Sequence, residues 1–217
     1  MRYNLVMKLY LSSIDIPTPS DLAELLSKPL GEARVAIIAN AIDYYSTRAW
    51  NYKAAKYVRL FESLGAAADI VDLREYSEPE QLGQTLARYE LVWVTGGNTF
   101  CVRHEMRRSG FESVIAGLLE SGMVYGGDSA GALVAGQSIE GIESADVPEF
   151  AESVINEGLK LVPYVVLPHV DNPEFAEAVE TVERLHAHSG NVIRLKDSQA
   201  VVFKDGKHRV VDGPEAT

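Results

Sequence analysis

The stretch MVYGGDSAGALVA, residues 123–135, is the strongest indicator of the fold class. Its first part, 123–126, is a β-type run, and 130–135 has helical composition, so strand and helix meet at a tight turn. Uninterrupted apolar runs alternate with helix-like segments on either side of this stretch. Such runs are typical of parallel strands that helices cover on both faces. We therefore expect an α/β fold, with a mostly parallel sheet sandwiched by helices.

The alternation extends along the chain. Strands are expected at residues 8–13, 34–39 (RVAIIA), 67–73, 90–95 (ELVWVT), 123–126 and 161–167. Helices are expected at residues 19–27, 47–64, 79–89, 99–108, 111–121 and 173–188. Three short β runs follow at 191–195, 200–204 and 209–212, with the hairpin signal Asp205-Gly206 between the last two. The C-terminal part is expected to end as a short antiparallel edge, and residues 1–217 to form a single domain.

The bulk composition excludes several classes of function. The net charge of the 217 residues is −11, whereas nucleic-acid binding normally needs a basic face, so no nucleic-acid partner is expected. No apolar run approaches the roughly 20 residues of a membrane span, so no membrane partner is expected. The start of the chain, 1–13, carries Lys8 and predicts a first strand rather than a signal peptide. The single cysteine, Cys101, excludes an internal disulfide and fits a cytoplasmic location.

The turn in the opening stretch reads Gly127-Asp128-Ser129-Ala130-Gly131. A Gly-x-Ser-x-Gly pattern between a strand and a helix exposes the serine hydroxyl at a sharp bend, as nucleophilic serines require. The first amides of the following helix point toward the reacting oxygen and favour negative charge there. The pattern alone is equally compatible with a glycine-rich turn in which Ser129 is a helix N-cap.

A second glycine-rich turn, Thr95-Gly96-Gly97-Asn98-Thr99, follows the strand expected at 90–95. Sites in open α/β sheets form beyond the carboxyl ends of the strands. Two adjacent glycines expose backbone N–H groups, which suits an oxyanion hole. A plain strand-to-helix turn capped by Thr99 is the alternative, but two such turns on neighbouring strands favour a site.

Pro168-His169 follows the strand expected at 161–167. Histidine is the usual base for a serine nucleophile, because its pKa lies near neutrality. Among the five histidines only His169 follows a buried-type strand, and His104, on the helix after the glycine pair, is its main rival. A carboxylate should orient the histidine. The candidates for this carboxylate, which spacing alone does not separate, are Asp146, Glu143, Glu149 and Asp171.

Three segments together resemble the signatures of the peptidase E family: 96–100 (GGNTF), 125–132 (YGGDSAGA) and 167–169 (LPH). These are serine peptidases on the class I glutamine amidotransferase-like fold, with cyanophycinases as relatives. The resemblance covers roughly residues 6–205. It implies a Ser–His–Asp triad with Ser129 as nucleophile and His169 as base. Asp146, in Asp146-Val147-Pro148, matches the family's aspartate, and Glu143 stays open.

We also expect the N–H groups of Gly97 and Ala130 to hold the oxyanion, and Asn98 and Arg184 to contact the substrate. Aspartyl dipeptidases of the family carry an arginine on the helix after the histidine, where this chain has Val182. Weak preference for N-terminal aspartate is therefore expected, unless Arg184 or Arg103 reaches the pocket.

The sequence thus predicts a cytoplasmic serine hydrolase of small peptides, a dipeptidase that works through an acyl-enzyme. No metal or organic cofactor is expected, and a homodimer is possible. Two alternatives remain open: a cyanophycinase-like hydrolase of branched Asp-Arg polymer, and a catalytically silent sensor or binding domain of the same fold.

Overall fold

The fold is seen in a computed structural model that describes residues 7–188 and 190–214. The strands are β1 (Lys8–Ser12), β2 (Arg34–Ile38), β3 (Ala67–Ile70), β4 (Leu91–Val94), β5 (Val124–Asp128), β6 (Val165–Leu167), β7 (Val192–Arg194), β8 (Gln199–Lys204) and β9 (Lys207–Asp212). The helices are α1 (Pro19–Ala23), α2 (Thr47–Ser63), α3 (Pro79–Leu86), α4 (Thr99–Arg108), α5 (Phe111–Glu120), α6 (Ala130–Leu133) and α7 (Ala176–His186). Short 3₁₀ turns occur at Leu30–Glu32, Asn40–Ile42, Leu73–Glu75, Pro148–Phe150 and Pro173–Phe175.

Seven strands form the central sheet in the order β3-β2-β4-β5-β1-β8-β9. The first five are parallel to one another, and β8 and β9 complete the sheet as an antiparallel edge. The expected mostly parallel α/β fold is confirmed, as is the antiparallel C-terminal edge. Strands β4 and β5 are neighbours, so the two glycine-rich turns that follow them lie side by side.

The central strands are apolar throughout because both faces of the sheet are covered. In β2, Val35 and Ile37 belong to one buried cluster, with α2 residues such as Phe61, whereas Ala36 and Ile38 belong to the cluster on the opposite face. Successive side chains of a strand point to opposite faces, so a doubly covered strand reads as a continuous apolar run.

One part of the expected sheet differs. The run at 191–195 gives β7, which pairs in parallel with β6 in a separate two-stranded sheet rather than joining the antiparallel edge. Only β8 and β9 form that edge, joined by the predicted turn, where Asp205 and Gly206 have φ of 52° and 71°. Positive φ at both central residues is typical of a two-residue hairpin turn.

The predicted first strand is present from Lys8 onward, and the part of that prediction at residues 1–6 lies outside the described residues. The helix expected at 173–188 begins as a 3₁₀ turn and continues as α7. None of the described helices has the length and apolar character needed to cross a membrane.

Candidate active site

Ser129 lies at the bend between β5 and α6. Its φ of 50° and ψ of −111° are unusual for a residue with a side chain, and its backbone N–H is held by the carbonyl of Ser12 at 3.0 Å. The flanking glycines permit this bend. A Cβ on Gly127 would lie 2.7 Å from the carbonyl carbon of Gly131, and a Cβ on Gly131 would collide with the backbone of Val94. Strain held in place by close packing is a common property of functional sites.

His169 faces this serine from the end of β6. Its Nε2 lies 2.9 Å from the Ser129 Oγ, so the predicted contact between the two side chains is confirmed. The residue is 6% exposed, and its ring stacks on Phe175 with 4.3 Å between centroids. The backbone of His169 also has a positive φ, 63°, and its N–H donates to the Ser13 hydroxyl at 3.2 Å.

The carboxylate at the other ring nitrogen belongs to Asp197, whose Oδ1 lies 2.6 Å from His169 Nδ1. The prediction that Asp146 approaches this nitrogen is therefore wrong. The physical reason is the pairing of β6 with β7: parallel neighbours end at the same edge, so the loops after the two strands meet. Asp197 is fixed in turn, because Asn172 Nδ2 donates to its Oδ2 at 2.9 Å and its own N–H donates to Asp171 at 2.9 Å.

The other candidate carboxylates are not the partner of His169 Nδ1 either. Asp171 supports Asp197 through the backbone, and Glu143 and Glu149 are exposed loop residues. No part of the sequence pattern singled out Asp197. One signal could have identified it: Asp197 comes shortly after a β run, and His169 was selected because it follows a strand.

Asp146 instead lines the pocket next to the serine and the histidine. Its Oδ2 accepts a hydrogen bond from the N–H of Thr99, the first residue of α4, at 2.8 Å. Burial raises the pKa of its carboxyl group, while the hydrogen bond from Thr99 and the nearby His169 act in the opposite direction. The site thus contains a second carboxylate, which is bonded to the start of α4 rather than to the histidine ring.

The glycine-rich turn after β4 packs directly against the serine turn. A Cβ on Gly96 would lie 3.2 Å from the Cβ of Ser129, so a side chain here would force the serine turn to shift by a few tenths of an ångström. Gly97 has φ of 144°, which L side chains rarely adopt. Ala130 is the first residue of α6, and amides in the first helical turn have no partner within the helix. Gly97 and Ala130 remain the expected oxyanion donors.

The space in front of Ser129 amounts to about 370 Å³ when the part open to solvent is included, and its walls are mainly apolar. Its lining residues are Thr99, Ser129, Ala130, Leu133, Ile142, Ala145, Asp146, Leu167, Pro168, His169, Phe175, Ala178 and Val179. Helix α7 therefore presents Ala178 and Val179 to the pocket. Val182, one turn further along, is not among the lining residues and is buried in an apolar cluster that includes the wall residues Leu133 and Ile142.

The residues expected to contact substrate occupy other positions. Asn98 caps α4 through Cys101 N–H at 3.0 Å and donates to the carbonyl of Val147 at 2.9 Å, which ties down the loop that carries Asp146. Arg184 is exposed on α7 and is not part of the pocket lining.

The remaining alternatives to these assignments lie away from Ser129. Arg103 is 2% exposed, donates to the carbonyl of Glu157 at 2.7 Å and pairs with Glu112 at 2.6 Å. The rival histidine, His104, contacts Ser153 at 2.8 Å rather than the serine turn. Within residues 7–188 and 190–214, no group of three or more His, Cys, Asp or Glu side chains is arranged to hold a metal ion.

A serine at a strained strand-to-helix turn, with a histidine and a carboxylate in line behind it, is the arrangement of serine hydrolases built on α/β folds. The sequence matches peptidase family S51 over residues 15–211. The chain therefore belongs to this family, which consists of serine peptidases.

Individual relatives agree with this assignment. An uncharacterized peptidase of Listeria innocua is 31% identical over 127 residues, which are 58% of this chain and 61% of that protein. The peptidase E of a Nostoc species is 31% identical over 126 residues, 58% of this chain and 49% of that protein. The matched part of the chain thus spans 61% and 49% of the length of these two relatives. A crystal structure from Listeria monocytogenes, of a protein assigned to peptidase E, shares the fold with a TM-score of 0.79, at 24% identity over 96% of this chain and 99% of that one.

Proposed function

We propose that this protein is a serine peptidase that hydrolyses dipeptides or other short peptides with an apolar N-terminal residue. The observation that carries the proposal is a row of three side chains. Ser129 Oγ lies 2.9 Å from His169 Nε2, and His169 Nδ1 lies 2.6 Å from Asp197 Oδ1. We propose Ser129, His169 and Asp197 as the triad.

The reaction follows from this row. Ser129 Oγ attacks the scissile carbonyl carbon while its proton moves to His169 Nε2. Asp197 holds the Nδ1 proton and stabilises the imidazolium cation that forms. The N–H groups of Gly97 and Ala130 receive the oxyanion. His169 then donates its proton to the leaving amine as the C–N bond breaks. Water attacks the acyl-enzyme with His169 as base, which releases the N-terminal part and restores the serine.

Asp146 supports an N-terminal specificity. In a dipeptide the α-ammonium group is separated from the scissile carbonyl by one carbon, so its partner must share the pocket with the nucleophile. Asp146 and Ser129 line the same pocket. A carboxylate in such surroundings is a strong acceptor for an ammonium group. We propose that Asp146 binds the free N-terminus of the substrate.

The walls of the pocket support an apolar first residue. Leu133, Ile142, Ala178 and Val179 surround the space beside Ser129, and no arginine or lysine is among the described residues that line it. A substrate aspartate would enter without a cationic partner, at a cost of about 1–3 kcal/mol for the unpaired group.

We place the activity in the cytoplasm, a reducing compartment that suits the single, buried Cys101.

The test is a kinetic panel of Met-Leu, Leu-Leu, Ala-Leu and Asp-Leu, each with a free and with an acetylated N-terminus. We expect the free peptides with large apolar first residues to be hydrolysed fastest, and Ser129→Ala to be inactive. His104→Ala, which removes the rival histidine outside the pocket, should retain activity. Full activity of Ser129→Ala would refute the proposed nucleophile, and preference for acetylated peptides would refute N-terminal recognition.

A further inference from the structure

Asp128, directly before the nucleophile, carries a buried carboxylate that the proposed reaction does not use. It is 4% exposed. Each of its oxygens accepts one hydrogen bond from a core side chain. The Tyr57 hydroxyl donates to Oδ2 at 2.9 Å, and the Trp93 indole Nε1 donates to Oδ1 at 3.0 Å. Burying a carboxylate is costly, so its presence beside the serine calls for a physical explanation.

The Tyr57 hydroxyl makes a second contact, with the neighbouring turn. It accepts a hydrogen bond from the backbone N–H of Gly96 at 3.3 Å. The hydroxyl proton goes to Asp128, which leaves an oxygen lone pair for Gly96. A continuous chain of donors thus runs from the Gly96 N–H through the tyrosine to the carboxylate next to Ser129.

The turn needs such an anchor. Gly96 and Gly97 have no side chains that could hold their backbone by packing. The flanking backbone contacts are Thr95 N–H to Ile38 at 3.1 Å and Asn98 N–H to Ala41 at 2.7 Å, one on each side of the glycine pair. Between them, the hydroxyl of Tyr57 holds the peptide plane between Thr95 and Gly96, directly before the plane that carries the Gly97 N–H.

We propose that Asp128 and Tyr57 are positioning residues, which lock the Gly96–Gly97 turn against the serine turn and so aim the Gly97 N–H at the oxyanion. The inference rests on the proposed function, because it acts on the same reaction. Direct contact between the turns supports it: a Cβ on Gly96 would lie 3.0 Å from Asp128 Oδ2. Misplacement of a preorganised donor by a fraction of an ångström weakens transition-state stabilisation without removing ground-state contacts.

A carboxyl group suits this position better than an amide, because two donors approach two different oxygens. An amide at position 128 has one acceptor oxygen, so either Tyr57 or Trp93 would lose its acceptor. If Tyr57 lost its acceptor, its hydroxyl proton would turn toward the loop and disturb the hydrogen bond from the Gly96 N–H.

The decisive variant is Tyr57→Phe, which removes the hydroxyl and keeps the ring in the core. Its matched control is Tyr10→Phe. Tyr10 is buried in the same apolar cluster, and its hydroxyl is hydrogen-bonded to the side chain and the backbone N–H of Thr18, at 2.9 and 3.0 Å, rather than to either turn. For Tyr57→Phe we expect kcat/KM on Met-Leu to fall by about 10- to 100-fold with KM nearly unchanged. Tyr10→Phe should stay within about twofold of the unchanged protein.

A second measurement separates positioning from general loosening. In an inhibitory amino aldehyde such as methioninal, Ser129 Oγ bonds to the carbonyl carbon, the π electrons move to the oxygen, and the serine proton passes to His169. The resulting oxyanion occupies the proposed hole. The inhibition constant of this aldehyde should rise in Tyr57→Phe by the same factor as kcat/KM falls, whereas inhibition by the product methionine should not change.

Three outcomes would overturn the inference: unchanged kcat/KM in Tyr57→Phe, an equal loss in Tyr10→Phe, or a loss confined to KM. If Tyr57→Phe does not fold, Asp128→Asn is measured in the same way, with the same expected split between kcat and KM. Failure of the unchanged protein to hydrolyse any peptide of the panel would instead refute the proposed function, so the two failures are distinguishable.

Discussion

At the scale of single residues, the identity of the acid behind His169 has the largest consequence. Asp197 lies 2.6 Å from Nδ1, whereas Asp146 is hydrogen-bonded to the N–H of Thr99. Replacing Asp197 by Asn should leave the geometry largely intact but favour the wrong histidine tautomer. In serine proteases this change costs about 10⁴ in kcat. We expect a loss of about 10³- to 10⁴-fold in kcat for Asp197→Asn, measured by steady-state hydrolysis of Met-Leu.

The comparison variant is Asp146→Asn. It removes the negative charge that we assign to binding the substrate N-terminus, so it should raise KM, by roughly 10-fold or more, with a smaller effect on kcat. Glu149→Gln, an exposed residue of the same loop, is the neutral control. If Asp146→Asn lost kcat as severely as Asp197→Asn, the assignment of Asp197 as the sole partner of the histidine would be wrong.

The buried carboxyl group of Asp128 leads to a prediction about the stability of the protein. Burial raises its pKa to about 7, and this outweighs the opposing hydrogen bonds from Tyr57 and Trp93. Because the folded state binds the proton more tightly than the unfolded state, the stabilisation is complete below about pH 4 and is lost as the pH rises through about 7. From about pH 5 to pH 8 this group should therefore lower the free energy of unfolding by roughly 2–3 kcal/mol.

Urea denaturation of the unchanged protein and of Asp128→Asn at both pH values measures this contribution. The difference between the two proteins cancels the other titrating groups, among them the neighbouring Asp15 and Lys56. The free energy of unfolding of the unchanged protein, relative to that of Asp128→Asn, should fall as the pH rises. A constant difference would show that Asp128 does not titrate in this range.

At the scale of elements, the sequence predicted the serine turn but not the whole site. Ser129 and its glycines are contiguous between a strand and a helix, so their roles are encoded locally. His169 followed from its place after an apolar strand. Asp197 was missed because its contact depends on β7 pairing with β6, a tertiary choice that the run at 191–195 does not reveal. The family motif pointed to Asp146 instead, which lies in the pocket with a different contact.

Helix α7 shows the same distinction between local pattern and tertiary position. The sequence pointed to Val182 as the apolar replacement for a family arginine, but Val182 packs into a buried cluster. Ala178 and Val179 are the helix residues that line the pocket. An arginine at position 179 would supply the missing partner for a substrate carboxylate. We expect Val179→Arg to raise the ratio of kcat/KM for Asp-Leu over Met-Leu by about 10-fold or more.

Arg184→Ala is the matched control for this change. Arg184 is exposed on the same helix and lies outside the pocket lining, so its loss should leave the ratio unchanged. An unchanged protein that already prefers Asp-Leu, together with a loss of this preference in Arg184→Ala, would contradict the apolar pocket.

At the scale of the whole molecule, the site is assembled from two sheets. Ser129 follows β5 of the seven-stranded sheet, whereas His169 and Asp197 follow β6 and β7 of the two-stranded sheet. The sequence predicted the α/β class, and it predicted that the two glycine-rich turns follow neighbouring strands. Nothing in it indicates that β6 and β7 leave the main sheet, because the segments that form them have the composition of ordinary strands.

The end of β1 joins these two parts. The carbonyl of Ser12 accepts from Ser129 N–H at 3.0 Å. The hydroxyl of the next residue, Ser13, accepts from His169 N–H at 3.2 Å and donates to the carbonyl of Leu195 at 3.1 Å. Ser13 is fully buried. Two adjacent residues therefore hold the nucleophile and the base at a fixed separation.

Ser13→Ala should consequently affect both stability and catalysis. It leaves the His169 N–H and the Leu195 carbonyl buried without their partner, which should lower the free energy of unfolding by about 1–3 kcal/mol. Because His169 sits in a positive-φ conformation that its surroundings must enforce, its ring should also lose its fixed position, and kcat should fall by about 10-fold or more. Ser63→Ala, which removes an exposed hydroxyl bonded to Leu60 at the end of α2, controls for the loss of a serine. Urea denaturation and steady-state kinetics on both variants provide the test. A Ser13→Ala protein that is destabilised but has unchanged kcat would show that the junction of the sheets carries stability alone, and that the His169 loop holds its geometry without it.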